Sequence, residues 1–164
     1  MSLSKEQTIN GAFTLQLPDT FEFMSDKELG ELSRGGGDPY QWGVRDKERH
    51  VVILALWKRY PSLLARMSDL KAIAKKNERQ TRKVYEGYDY RSLGLTSLQT
   101  GEINAEGYSF SYRLKDITQV VQCFLIKDNS IVYSIACVGR EENIDADREM
   151  FQEIIKSLHG LERA

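Results

Sequence analysis

The chain has 164 residues, enough for one domain and too few for two of ordinary size. Hydrophobic residues make up 41% and charged residues 29%, with only 12 Gly and 3 Pro, which excludes disorder, collagen-like repeats and low complexity. Lys plus Arg number 23 against 24 Asp plus Glu, so the net charge of −1 lacks the basic excess on which nucleic-acid binding runs, and no nucleic acid is expected as a partner.

Residues 1–12 are expected to be a flexible segment, 13–160 a single α+β domain and 161–164 a tail. The first residues carry no basic stretch leading into an apolar one, so no signal peptide is read; the chain as written is expected to be cytoplasmic, or extracytoplasmic if a leader has been removed. Phe13 to Leu17 alternates apolar and polar, the period of a half-buried strand, and Pro18-Asp19 stops it. Ser25 with Glu28 three residues on is a capping-box pattern, opening a short helix with Leu29 and Leu32 on its apolar side. Gly35-Gly36-Gly37-Asp38-Pro39 reads as a loop; the glycines lead into a strand rather than a helix N-terminus, unlike a phosphate loop. Tyr40 to Arg45 alternates, residues 46–49 form a charged turn, and His50 to Arg59 is the most hydrophobic strand, expected to be central because both faces are apolar. No apolar run approaches the ~20 residues of a membrane span.

A long helix is expected from Pro61-Ser62, with Leu63, Met67, Leu70 and Ala74 as its stripe, fading after Asn77. Residues 86–94 read as an irregular connection. Two strands follow around a turn at Glu106-Gly107, then two more, 119–127 and 130–139, joined at Asp128-Asn129. Asn143 is placed to cap a last helix with Met150, Phe151, Ile154, Ile155 and Leu158 inward and Gly160 as its stop. Short turns between most strands make the sheet largely antiparallel. The fold class expected is α+β, a single mostly antiparallel sheet of about six to seven strands with two main helices packed on it.

Cys123 and Cys137 lie in apolar runs and are read as buried, unbridged thiols. With the turn at Asp128-Asn129, Val120 faces Cys137, Cys123 faces Ser134, and the two sulfurs point to opposite sheet faces. Trp42 and Trp57 are read as core aromatics, each facing a helix layer.

The order of elements resembles the PsbP-like fold, a group that includes photosystem II PsbP, a Ran release factor and bacterial DcrB-like and LpqN-like proteins. The resemblance rests on the Phe13–Pro18 strand, the mid-chain helix, the run Gly107-Tyr108-Ser109-Phe110-Ser111-Tyr112, the hairpin through Asp128-Asn129 and the closing helix Phe151–Leu158. It implies a module that binds or assembles rather than one that catalyses, and it brings no catalytic residue to this chain.

The residues themselves show no catalytic constellation. His50 and His159 lack the i, i+3 or i+4 partner of a zinc site, and no G-x-S-x-G elbow marks a nucleophile. Glu141, Glu142, Asp145, Asp147 and Glu149 suit the N-terminus of a helix. Arg66 to Lys83 is locally basic, and Lys71, Lys75, Arg79 and Arg82 share one half of a helix circumference, a solvated face or a docking face for an acidic partner. Tyr85, Tyr88 and Tyr90 follow as an aromatic patch.

The expected function is a non-enzymatic binding or assembly module, without metal or cofactor, whose partner is another protein; a homodimer is compatible with this. The alternatives are an adaptor or chaperone presenting its sheet to an apolar segment, and a small-molecule binder or enzyme with a pocket that sequence does not reveal. A concave apolar cleft with converging charges favours a ligand binder or enzyme; a flat or grooved exposed apolar patch favours a protein partner.

Overall fold

The computed structural model describes residues 2–32, 39–60, 69–100 and 103–161. In chain order the elements are β1 (Lys5–Ile9), β2 (Phe13–Leu17), β3 (Glu22–Phe23), α1 (Asp26–Leu32), β4 (Trp42–Asp46), β5 (Val51–Arg59), α2 (Leu70–Val84), β6 (Arg91–Thr100), β7 (Ile103–Leu114), β8 (Ile117–Asp128), β9 (Ile131–Arg140), a 3₁₀ turn (Glu141–Asn143), α3 (Ile144–Lys156) and β10 (His159–Gly160). Seven strands form one sheet in the order β3-β4-β5-β9-β8-β7-β6, every neighbouring pair antiparallel. The fold class is α+β, as expected.

Strand periodicity divides this sheet into two faces. On one, Val44, Ile53, Ala55, Tyr133, Ile135 and Cys137 meet Met150, Phe151, Ile154 and Ile155 of α3. The same core takes in Phe13, Leu15 and Leu17 of β2, which belongs to a separate three-stranded sheet, β1-β2-β10. The opposite face carries Leu54, Tyr108, Phe110, Val121, Cys123, Leu125 and Ala136 and is covered by Leu29 of α1 and by Leu70, Ile73 and Ala74 of α2. The molecule therefore has three layers, with the seven-stranded sheet in the middle.

Several local expectations change. Lys5–Ile9 lies in the segment expected to be flexible, yet it pairs along its whole length with β2. Glu106-Gly107 is not a turn: both residues sit inside β7, opposite Ser97 and Thr96. Gly107 is a glycine because β8 passes so close that a Cβ there would collide with the Cys123 carbonyl, an approach no local pattern announces. The β8–β9 turn lies one residue later, at Asn129-Ser130, so Cys123 faces Ala136 rather than Ser134. The register moves by two in the pairing sum, which preserves side-chain parity, and the two thiols still point to opposite faces. Both are free and buried.

Trp42 and Trp57 both lie on the α3 face. The Ser25–Glu28 capping box forms in both directions, at 3.2 Å each. Asn143 takes the N-cap position of α3 without a side-chain bond, and Gly160 lies in β10. The expected stripe residues Leu63 and Met67, Arg66 of the basic run and the loop at 35–37 lie outside the described residues. No helix among the described residues is long and apolar enough to cross a membrane.

Candidate functional site

Helix α2 lies over β7 and β8. Helix α1 sits beyond the other side of the sheet's centre, where Leu29 packs against Leu54 and Gly43. The two helices leave the middle strands of this face partly uncovered, and Val52, Leu56, Ser134 and Val138 are only half-buried there. The space is a cavity of about 760 Å³, within the roughly 300–1,000 Å³ of small-molecule sites. Its floor is apolar, formed by Leu54, Leu56, Val121, Leu125, Ala136 and Val138. From Val52 to Lys58 it follows β5 for about 20 Å, at ~3.3 Å per residue.

One wall is built of phenols. Tyr40, Tyr85, Tyr108 and Tyr112 line the cavity around Cys123. Tyr85 stacks on Tyr112, ring centroids 4.3 Å apart, and tilts over Phe110 at 5.6 Å. Thr81 spends its hydroxyl proton on the Asn77 carbonyl at 2.8 Å, so at 3.3 Å it is the Tyr108 hydroxyl that donates to Thr81 Oγ1. Burial raises the Tyr40, Tyr85 and Tyr108 phenols above the ordinary tyrosine value, pushes Tyr112 up to about 12, and pushes the Cys123 thiol up to about 11. At neutral pH the wall is uncharged.

Among the described residues, four of the five charged side chains that line the cavity gather at one end, and Lys58 stands at the other. Arg45 on β4, Val52 on β5 and Val138 on β9 are lateral neighbours, and Arg140 lies two residues beyond Val138 on the same face. Arg45 forms an ion pair with Glu28 of α1, and that carboxyl is held below its ordinary value, first by its hydrogen bond from the Ser25 backbone. The Nε atoms of Arg45 and Arg140 are both buried and without a hydrogen-bond partner. The charged side chains lining the cavity are Arg45, Lys47, Lys58 and Arg140 against Asp46, which accepts from Thr20 at 2.8 Å and from the Arg49 backbone at 3.2 Å. Among the described residues no three His, Cys, Asp or Glu side chains gather to hold a metal ion.

The sequence-derived candidates fall on two surfaces. Lys71, Lys75, Arg79 and Arg82 are all exposed on the side of α2 away from the sheet. Arg82 pairs with Glu78 at 3.5 Å and lies over the Tyr90 ring at 5.8 Å. The acidic run near α3 is on the other face of the sheet, so the two charge clusters do not meet. Of the tyrosines, Tyr85 enters the cavity wall, Tyr90 stacks on Phe110 at 5.5 Å, and Tyr88 is exposed. Tyr85 also meets the Tyr88 ring edge-on at 6.4 Å, and Tyr85 and Tyr90 both lie against Phe110, so the three rings are linked while facing different surroundings. The sequence reading missed Tyr40, Arg45, Tyr108, Tyr112 and Arg140; Tyr40 lies outside any strand, and for the other four the available signal was strand parity, which has meaning only once the strand order is known.

By sequence, no protein-family model and no curated protein matches the chain. By structure, it is similar to the cyanobacterial PsbP of Synechocystis sp. PCC 6803, with a TM-score of 0.72, 10% identity, and coverage of 96% of this chain and 92% of that one. It is also similar to LpqN of Mycobacterium tuberculosis, described as involved in cell envelope biogenesis, with a TM-score of 0.59 at 13% identity over 92% of this chain and 83% of that one. A Bacteroides thetaiotaomicron protein is similar with a TM-score of 0.52 at 10% identity, over 99% of this chain and half of that one. These likenesses establish the fold.

Proposed function

We propose, from a PsbP-like fold with a chambered sheet face, that the chain is a non-enzymatic binding module whose ligand occupies the cavity between the sheet and α2. One observation carries this reading. The cavity has the volume and the mix of apolar floor and few polar groups that small-molecule sites share, where a protein-docking face would be flat or openly grooved. The phenols and the thiol of its wall are held protonated by burial beside the charged Arg45, Asp46, Lys47, Lys58 and Arg140, and among the described residues no activated nucleophile and no histidine paired to a carboxylate lines it. This favours the small-molecule alternative over the protein partner expected from sequence.

The test uses the full chain and N-phenylnaphthylamine, a neutral apolar fluorophore. The expected result is saturable fluorescence enhancement that Ser134→Trp abolishes, because the indole would project from the half-buried floor into the space. Thermal unfolding of the variant checks that it folds. Absence of saturable binding, or binding that a folded Ser134→Trp leaves unchanged, overturns the reading.

A further inference from the structure

We propose that the ligand is an anionic amphiphile, an extended apolar body with a compact anionic head seated between Arg45 and Arg140. This rests on the cavity being a ligand site and adds the class of molecule that fills it. The first ground is the pair of unsatisfied donors. A buried polar group without a partner is rare in native proteins, and two arginines that line one end of one cavity each carry an Nε in this condition. Guanidinium is also the side chain best shaped for a carboxylate or phosphate oxygen pair.

The second ground is the partition of chemistry along the cavity. Arg45 and Arg140 stand at the β4–β5 turn end, with Lys47 beside them, and Glu28 answers only Arg45. From there the floor runs past Val138, Ala136 and Leu56, apolar but for Ser134, until Lys58 at its far end. A ligand charged at one end and apolar along its body complements both regions at once. A neutral apolar ligand would leave the Arg140 charge unanswered, and a compact inorganic anion would leave the apolar floor unfilled.

The experiment displaces bound N-phenylnaphthylamine from the full chain with dodecanoate, dodecanol or dodecylammonium, which share one chain and differ in the head. Dodecanoate is expected to displace the fluorophore at a concentration at least about tenfold lower than dodecanol, as a hydrogen bond to a charged group implies. Dodecylammonium should be the weakest of the three. Arg140→Gln should remove the preference for dodecanoate and leave dodecanol within about twofold. The wild-type ranking needs no variant and decides the question even where Arg140→Gln does not fold. Equal displacement by dodecanoate and dodecanol, or an Arg140→Gln effect that weakens both alike, overturns the anionic head and leaves the cavity reading standing. Failure of the fluorophore to bind at all overturns both.

Discussion

Asp147 is the residue whose environment departs furthest from its sequence reading. It belongs to an acidic run of the kind that suits a helix N-terminus, yet it is 3% exposed and its Oδ2 has no hydrogen-bond partner. Gly139 lies directly beneath, where an added Cβ would stand 3.0 Å from that oxygen. Burial raises its carboxyl above the ordinary aspartate value, Asp46 adds to the rise, and Arg49 opposes it. An acid whose folded value exceeds its unfolded value holds more protons in the folded state between the two, so stability falls as pH rises through that interval. Asp147→Asn removes the titration. Denaturant unfolding across about pH 4 to 7 is expected to show a smaller loss of stability with rising pH in Asp147→Asn than in wild type. Parallel profiles would show that burial does not act on this carboxyl.

At the scale of the element, α2 shows why its hydrophobic pattern fades. Its inward side continues past Ala74 through Asn77 and Thr81, polar residues that bond each other and Tyr108 rather than packing in a dry core. The stripe persists in geometry and disappears in hydropathy because that side faces the cavity. Asp69 caps the N-terminus by accepting from the Lys71 amide at 3.1 Å, and Arg82 and Lys83 suit the C-terminal end of the dipole. Lys71, Lys75 and Arg79 project the other way, into solvent. Reversing each of the three singly to Glu is expected to change unfolding free energy by no more than about 0.5 kcal/mol, as for other surface substitutions, and to leave fluorophore binding unchanged. A cost above about 2 kcal/mol would assign these side chains a structural role.

For the molecule as a whole, the sheet separates a sealed layer from a chambered one, and each layer holds one cysteine. Cys137 is fully covered on the α3 side, where burial holds its thiol well above the ordinary value. Cys123 is 6% exposed, lines the cavity and touches Tyr108. Because the thiolate is the reactive form, native labelling by a small thiol reagent should be slow at Cys123 and absent at Cys137 until unfolding. N-phenylnaphthylamine should slow Cys123 further. Peptide mapping of the labelled chain reads both sites; rapid native labelling of Cys137, or a Cys123 rate indifferent to the fluorophore, would contradict the division into layers.

What the amino-acid order determined alone is what depends on near neighbours. Strand alternation in β2 and β4, the Ser25–Glu28 cap, the inward side of α3 and the opposite facing of the two thiols all follow from periods of two and 3.6, which act within a few residues. The element order that these compose was legible enough to point to the PsbP-like fold. Turn positions were less so, because Gly107 serves a strand crossing and resembles a turn glycine. Tertiary structure alone decided the site. Arg45 and Arg140 are 95 positions apart in the chain, and Tyr40 meets Tyr85, Tyr108 and Tyr112 only because β5 pairs with β9, β9 with β8 and β8 with β7. The cavity exists because α1 and α2 rest on opposite margins of one sheet face, a matter of how layers pack that no local pattern of residues encodes.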